Sequence, residues 1–225
     1  MTQPSPRPPA PTARILLVDD HPLVREGLTL RISRQPNLSV CGEASTLAEA
    51  LQQFEQHRPD LVIVDITLKD GNGLDLIQRL KSREPAVRIL VLSMHDESVY
   101  AERALRAGAL GYINKQEARE LVIDAILRVL EGKLYLSPAA QERLLTVASR
   151  GPEELLRPAV STLTNRELEV FEAIGRGLTT SEIAKQLHLS IKTVETHRQR
   201  VKAKLNLTTS AELAREAVQW VLTQS

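Results

Sequence analysis

A single cysteine, Cys41, stands in 225 residues, so no disulfide can close within the chain. That usage fits a reducing compartment. Aromatic residues make up only 3%, which leaves Leu, Ile, Val and Ala to build any core. No apolar run approaches the roughly 20 residues of a membrane span. The start, MTQPSPRPPAP, lacks the apolar stretch of about 7–15 residues that a secretory signal needs. A cytoplasmic protein with no membrane partner is expected. Neither sign of charge dominates: 29 Lys and Arg face 28 Asp and Glu, a net charge of +1. A uniformly basic surface is therefore excluded, although the two halves can still differ. The proline-rich residues 1–13 read as a disordered tail.

What is present is ordinary globular material, 42% hydrophobic and 25% charged. From Arg14 onward, short apolar runs alternate with helical patterns. Strands are expected at 14–18, 38–44, 60–64, 87–92 and 110–113. Helices are expected at 21–35, 46–57, 73–83, 96–107 and about 116–131. The first, third and fourth strands are nearly continuous Ile, Leu and Val, as suits strands covered on both faces. Strands separated by helices imply βαβ units and a parallel sheet. The fold class is thus α/β, a doubly wound five-stranded sheet of order 2-1-3-4-5, ending near residue 132. Residues 133–161 read as a linker with partial helix, broken by Gly151-Pro152 and Pro158.

After Leu163 the pattern is wholly helical. Thr164 with Glu167, Thr179 with Glu182 and Thr209 with Glu212 form capping boxes, and Ser190 can cap a further helix. Four helices follow, at about 165–175, 180–187, 191–205 and 210–222. The second and third are joined by a turn too short for anything but helix-turn-helix geometry.

In a doubly wound sheet, ligands bind beyond the carboxyl ends of the strands. Asp19 and Asp20 follow the first strand and Asp65 follows the third, its neighbour in the expected order. Three carboxylates this close require neutralising charge. A hard cation such as Mg²⁺, held by carboxylates, waters and phosphate oxygens, provides it. Ser93 and Lys115 stand at the ends of the next two strands and can both bind phosphoryl oxygens. Acids, cation, hydroxyl and ammonium together describe phosphoryl transfer to a carboxylate.

Asp19-Asp20, Asp65, Ser93 and Lys115, in that order at those strand ends, resemble the response-regulator receiver family over residues 14–132. The resemblance implies that Asp65 accepts a phosphoryl group from a sensor histidine kinase. It implies a Mg²⁺ held by Asp19, Asp65 and the carbonyl of Thr67, with Asp20 acting through water. Lys115 and Ser93 would bind phosphoryl oxygens, and Tyr112 matches an aromatic that turns inward. Thr67 and His95 occupy positions that influence phosphoryl lifetime. Lys69 and Gln116 stand where many receivers carry proline, and the latter bears on the backbone at Lys115.

Helix 191–205 carries Lys192, Arg198, Arg200, Lys202 and Lys204 against the single acid Glu195. Ile191, Val194, Val201 and Leu205 form its packing stripe. As the second helix of the turn motif, it is the one that enters a major groove, where cations neutralise phosphates. LTNRELEV from Leu163, SEIA from Ser181 and TVETHR from Thr193 resemble the LuxR-type helix-turn-helix family, so residues 162–225 are expected to bind DNA. The resemblance implies base contacts from Glu195, Thr196 and Gln199 and phosphate contacts from Lys192, Arg198, Arg200 and Lys204. His197 reads as a packing residue.

Together the halves resemble the NarL/FixJ class of transcription regulators. The expected function is a two-component response regulator, phosphorylated on Asp65, that controls sequence-specific binding to double-stranded promoter half-sites. A homodimer on phosphorylation and RNA polymerase are the further partners. An enzyme is not expected, because a phosphatase using an aspartyl phosphate would also need a water-activating acid and a substrate lid. A receiver that serves only as an unphosphorylated dimer or ligand module is the rival reading.

Overall fold

The computed structural model describes residues 12–149 and 159–224. The predicted tail lies outside them up to residue 11, as do linker residues 150–158.

Five parallel strands form one sheet: β1 (Ala13–Val18), β2 (Leu38–Ala44), β3 (Leu61–Val64), β6 (Arg88–Ser93) and β7 (Gly111–Asn114). Their order is β2-β1-β3-β6-β7, the predicted order with a small hairpin counted in the numbering. That hairpin, β4 (Thr67–Leu68) and β5 (Gly71–Asn72), occupies what the sequence suggested was plain loop. Alternate residues face opposite sides. Leu16, Val18, Val62, Val64, Ile89 and Val91 meet α2 (Leu47–His57), α3 (Gly73–Arg83) and α4 (Glu97–Ala107). Ile15, Leu17, Leu61, Ile63, Leu90 and Leu92 meet α1 (Pro22–Ile32) and α5 (Ala118–Leu130). Burial on both faces is what a central parallel strand requires.

Local chemistry sets the helix starts. Thr46, Asn72 and Asp96 each accept a bond from a backbone N–H two or three residues on. Helix α1 stops earlier than expected, at Ile32, because Pro36 disfavours helical backbone in the residue before it. Gly73 is fixed by close approach: a Cβ there would lie 2.0 Å from the carbonyl oxygen of Asp65.

Beyond the sheet, Tyr135 bridges to Gly111, and α6 (Pro138–Ser149) packs on α4, with Leu136 and Ala140 buried. After a short 3-10 turn (Ala159–Thr162) come α7 (Asn165–Gly175), α8 (Thr180–Gln186), α9 (Ile191–Lys204) and α10 (Ser210–Gln224). Leu168, Phe171, Ile183, Leu187, Val194, Val201, Leu213 and Ala217 fill their common core. That core is continuous with the α3–α4 side of the sheet, so the helical half is docked on the receiver half.

Candidate functional site

Asp19, Asp20 and Asp65 are buried together at the carboxyl edge of β1 and β3. With His21 they offer ligand atoms within 4.8 Å of one another. Lys115 answers part of this charge: its Nζ lies 2.6 Å from Asp65 Oδ2 and 2.7 Å from Asp19 Oδ2. Burial opposes the Lys115 ammonium, but the two carboxylates beside it hold its pKa above the ordinary value. Burial also raises the Asp65 carboxyl, with Lys115 pulling the other way.

The second acid is differently placed. Asp20 Oδ2 faces His188 Nε2 at 3.2 Å. Asp20 Oδ1 lies 2.8 Å from His21 Nδ1, but that nitrogen also bonds Asp19 Oδ1 and leaves Asp20 Oδ1 without a hydrogen bond. Asp20 Oδ1, with only the exposed His21 ring beside it and no well-formed hydrogen bond, and the two further buried carboxylates make an oxygen set that a hard cation would satisfy. The residues present therefore fit a divalent cation.

Around this edge stand the other predicted residues. Lys115 N–H donates to the carbonyl of Ser93 at 2.8 Å, so the backbone beside Gln116 keeps the lysine in place. Ser93 is buried as the last residue of β6 and not one past it. Tyr112 is turned in, its hydroxyl donating to the carbonyl of His95 at 2.8 Å. Thr67 N–H points to Asp65 Oδ1 at 3.4 Å, and its hydroxyl meets His95 Nε2 at 3.0 Å.

His95 then leads out of the receiver half. Its Nδ1 lies 3.2 Å from Glu172 Oε2 on α7, and the same oxygen accepts from Tyr100 at 2.9 Å. Burial disfavours the imidazolium, yet Glu172 holds the His95 pKa above its usual value. Glu172 is buried too, but His95 and Arg176 keep its carboxyl below the ordinary range. One turn earlier, Asn72 donates to Glu169 Oε1 at 2.9 Å, and Arg166 pairs with the other oxygen. Arg103 donates to the carbonyls of Leu163 and Val160 and to Asn165 Oδ1. The sequence predicts no contact between the two domains, and of these residues it gives a site role to His95 alone.

The helical half presents α9. Lys192, Glu195, Thr196, Gln199 and Arg200 are exposed, so the receiver half does not cover them. Arg198 is half-buried and donates to Thr180, which itself donates to Glu195. Lys204 is engaged within the domain, 2.6 Å from Glu167 Oε2. Burial, with Arg166 and Arg200 nearby, pushes His197 below its usual pKa.

The sequence profile described as "Response regulator receiver domain" matches residues 15–127, and the one described as "Bacterial regulatory proteins, luxR family" matches residues 161–217. The chain belongs to the LuxR-type response regulators. The regulator is 38% identical to the transcriptional activator protein ExaE of Pseudomonas putida, over 91% of this chain and 95% of that protein. It is 34% identical to the oxygen regulatory protein NreC of Staphylococcus carnosus, over 91% of this chain and 96% of that one. Among solved structures, the RcsB response regulator of Salmonella typhimurium, studied for its conformational dynamism in DNA interaction, matches with a TM-score of 0.56 at 25% identity, over 92% of this regulator and 98% of that chain. The regulator thus joins a receiver to a LuxR-type DNA-binding domain, the build of a transcriptional regulator. No described helix is long and apolar enough to cross a membrane.

Proposed function

We propose that Asp65 is the phosphoacceptor and that its phosphorylation by a sensor histidine kinase governs binding of double-stranded DNA through α9. The observation that carries this reading is the joint seating of Asp65, Asp19 and Lys115, with the DNA-binding domain bonded to the same edge. In the transfer, an Asp65 carboxylate oxygen forms the new P–O bond as the P–N bond of a phosphohistidine protonated on its other ring nitrogen breaks, the electron pair returns to the departing nitrogen, and the kinase histidine leaves as neutral imidazole. Asp19, Asp65 and the Thr67 carbonyl would hold Mg²⁺, with Asp20 acting through water, and the bound cation would neutralise charge on the incoming phosphoryl oxygens. Lys115 leaves its bond to the Asp65 carboxylate and takes a phosphoryl oxygen.

Ser93 swings its hydroxyl to another phosphoryl oxygen, and the β6–α4 segment moves with it. His95 lies two residues on and is bonded to Glu172, so this motion pulls on the docking contact. Tyr112, already turned in and bonded to the His95 carbonyl in the docked form, moves with that segment. The result is a shift between docked and released domains.

The units in this scheme are a receiver at 14–132, a linker at 133–161 and a DNA-binding domain at 162–225. Released copies pair as homodimers on adjacent half-sites. Glu195, Thr196 and Gln199 read bases, and Lys192, Arg198 and Arg200 hold phosphates. Lys204 joins them only by leaving Glu167. The regulator turns over no outside substrate, works in the cytoplasm, and meets RNA polymerase at the promoter. Phosphate-affinity electrophoresis with a small-molecule phosphodonor and Mg²⁺ tests the assignment. Wild type shifts and Asp65→Asn does not; an equal shift in both would overturn it.

A further inference from the structure

The cation-binding edge is completed by a residue of the other domain. His188 sits in the turn between α8 and α9, with a left-handed backbone (φ 53). Its ring meets Asp20 Oδ2 at 3.2 Å, on a buried carboxylate whose other oxygen makes no hydrogen bond but lies 2.8 Å from the exposed His21 ring of the receiver itself. The docked domain is held separately by Glu172, which bonds His95 and Tyr100, and by Glu169, which accepts from Asn72. Neither glutamate is among the residues that gather at the cation edge.

A hard divalent cation draws on carboxylate and water oxygens, and neutral imidazole is a poor ligand for it. His188 in its docked seat sets an imidazole nitrogen against the Asp20 oxygen that would otherwise face a cation or its water. Resting on the Mg²⁺ reading above, we infer that docking of the DNA-binding domain and binding of the divalent cation oppose each other through His188 on Asp20. The imidazole is then a competitor for the edge and not a ligand in it. Coupling between two binding equilibria is reciprocal. Docking therefore weakens the cation site by the same factor by which the cation weakens docking. The domain contact loosens as the cation site fills, before any phosphoryl group arrives.

The test counts free Mn²⁺ by electron paramagnetic resonance during titration of the full chain. The proteins are wild type, His188→Gly, Glu172→Gln and Asp20→Ala. Glycine suits the left-handed backbone at 188. Glu172→Gln weakens docking without changing any residue of the cation edge. Both His188→Gly and Glu172→Gln are expected to bind Mn²⁺ about fivefold or more tightly than wild type, and Asp20→Ala more weakly. In the reciprocal measurement, Mg²⁺ lowers amide protection along α7 in wild type. Equal Mn²⁺ affinities for wild type and His188→Gly overturn the inference. Tighter binding in His188→Gly alone also overturns it, because the histidine would then act by local charge and not through docking. No Mn²⁺ binding by any of the four proteins removes the cation reading itself, and the coupling with it.

Discussion

His188 Nε2 and Asp20 Oδ2 lie 3.2 Å apart although 168 positions separate them in the chain. The bond ties the helix-turn-helix turn to the acidic edge of the receiver. A second tie runs from His95, two residues past Ser93, to Glu172 on α7. The DNA-binding domain is thus held at the two places where phosphorylation of Asp65 would act.

Arg103 closes the docked arrangement by donating to the Leu163 carbonyl at 3.0 Å and Asn165 Oδ1 at 3.2 Å. Arg103→Ala is expected to weaken docking by about 1.5–3 kcal/mol, the range for hydrogen bonds to a charged group. Amide exchange along α7 would quicken while the sheet keeps its protection. Unchanged exchange in α7 would show that Arg103 does not hold the domains together.

Gly175 packs where a Cβ would lie 2.4 Å from the carbonyl oxygen of Ala217. Gly175→Ala must push α10 away from α7, an overpacking that costs about 1–3 kcal/mol. The melting temperature of the DNA-binding domain should fall, and the receiver should still accept phosphate. A variant as stable as wild type would mean that α10 yields freely there.

Arg200 is exposed on α9, whereas Lys204 is pinned to Glu167. Arg200→Ala should lower the slope of log affinity against log salt by about 1. Lys204→Ala should instead act mainly on stability, since it strips Glu167 of its cation. Measuring DNA binding at several salt concentrations separates the two. A full unit of slope lost in Lys204→Ala would assign that lysine to phosphate after all.

Glu212 accepts bonds from the backbone of Thr209 and Thr208 and from the Thr208 hydroxyl, which hold its pKa at about 2. The folded value lies below the ordinary carboxylate range, so its capping of α10 is fully present above that range. The contribution is lost as pH falls through the folded value. An NMR titration of the Glu212 carboxyl should show the depressed midpoint; an ordinary one would mean the cap does not hold in solution.

Much of this architecture was legible because burial leaves periodic traces. Strands covered on both faces read as unbroken Ile, Leu and Val, and the capping pairs Thr164–Glu167 and Thr179–Glu182 mark their helices. Asp19, Asp20 and Asp65 could be placed because strand order alone brings them to one edge. The domain contact left no such trace. Asn72, Glu169, Glu172 and His188 are polar residues on surfaces that meet only in the tertiary fold, with partners 72 to 168 positions away. Lys204 looked like one more cation on a basic helix, since its partner Glu167 lies on a different helix. The β4–β5 hairpin, with two residues per strand, is too short to show a period.

The most direct test of control through Asp65 is selection of promoter fragments from a pool, with and without phosphodonor and Mg²⁺, by wild type and Asp65→Asn. Gain of specific binding by phosphodonor-treated wild type alone is the expected result. Specific binding that ignores the phosphodonor, or that rises equally in Asp65→Asn, would contradict it.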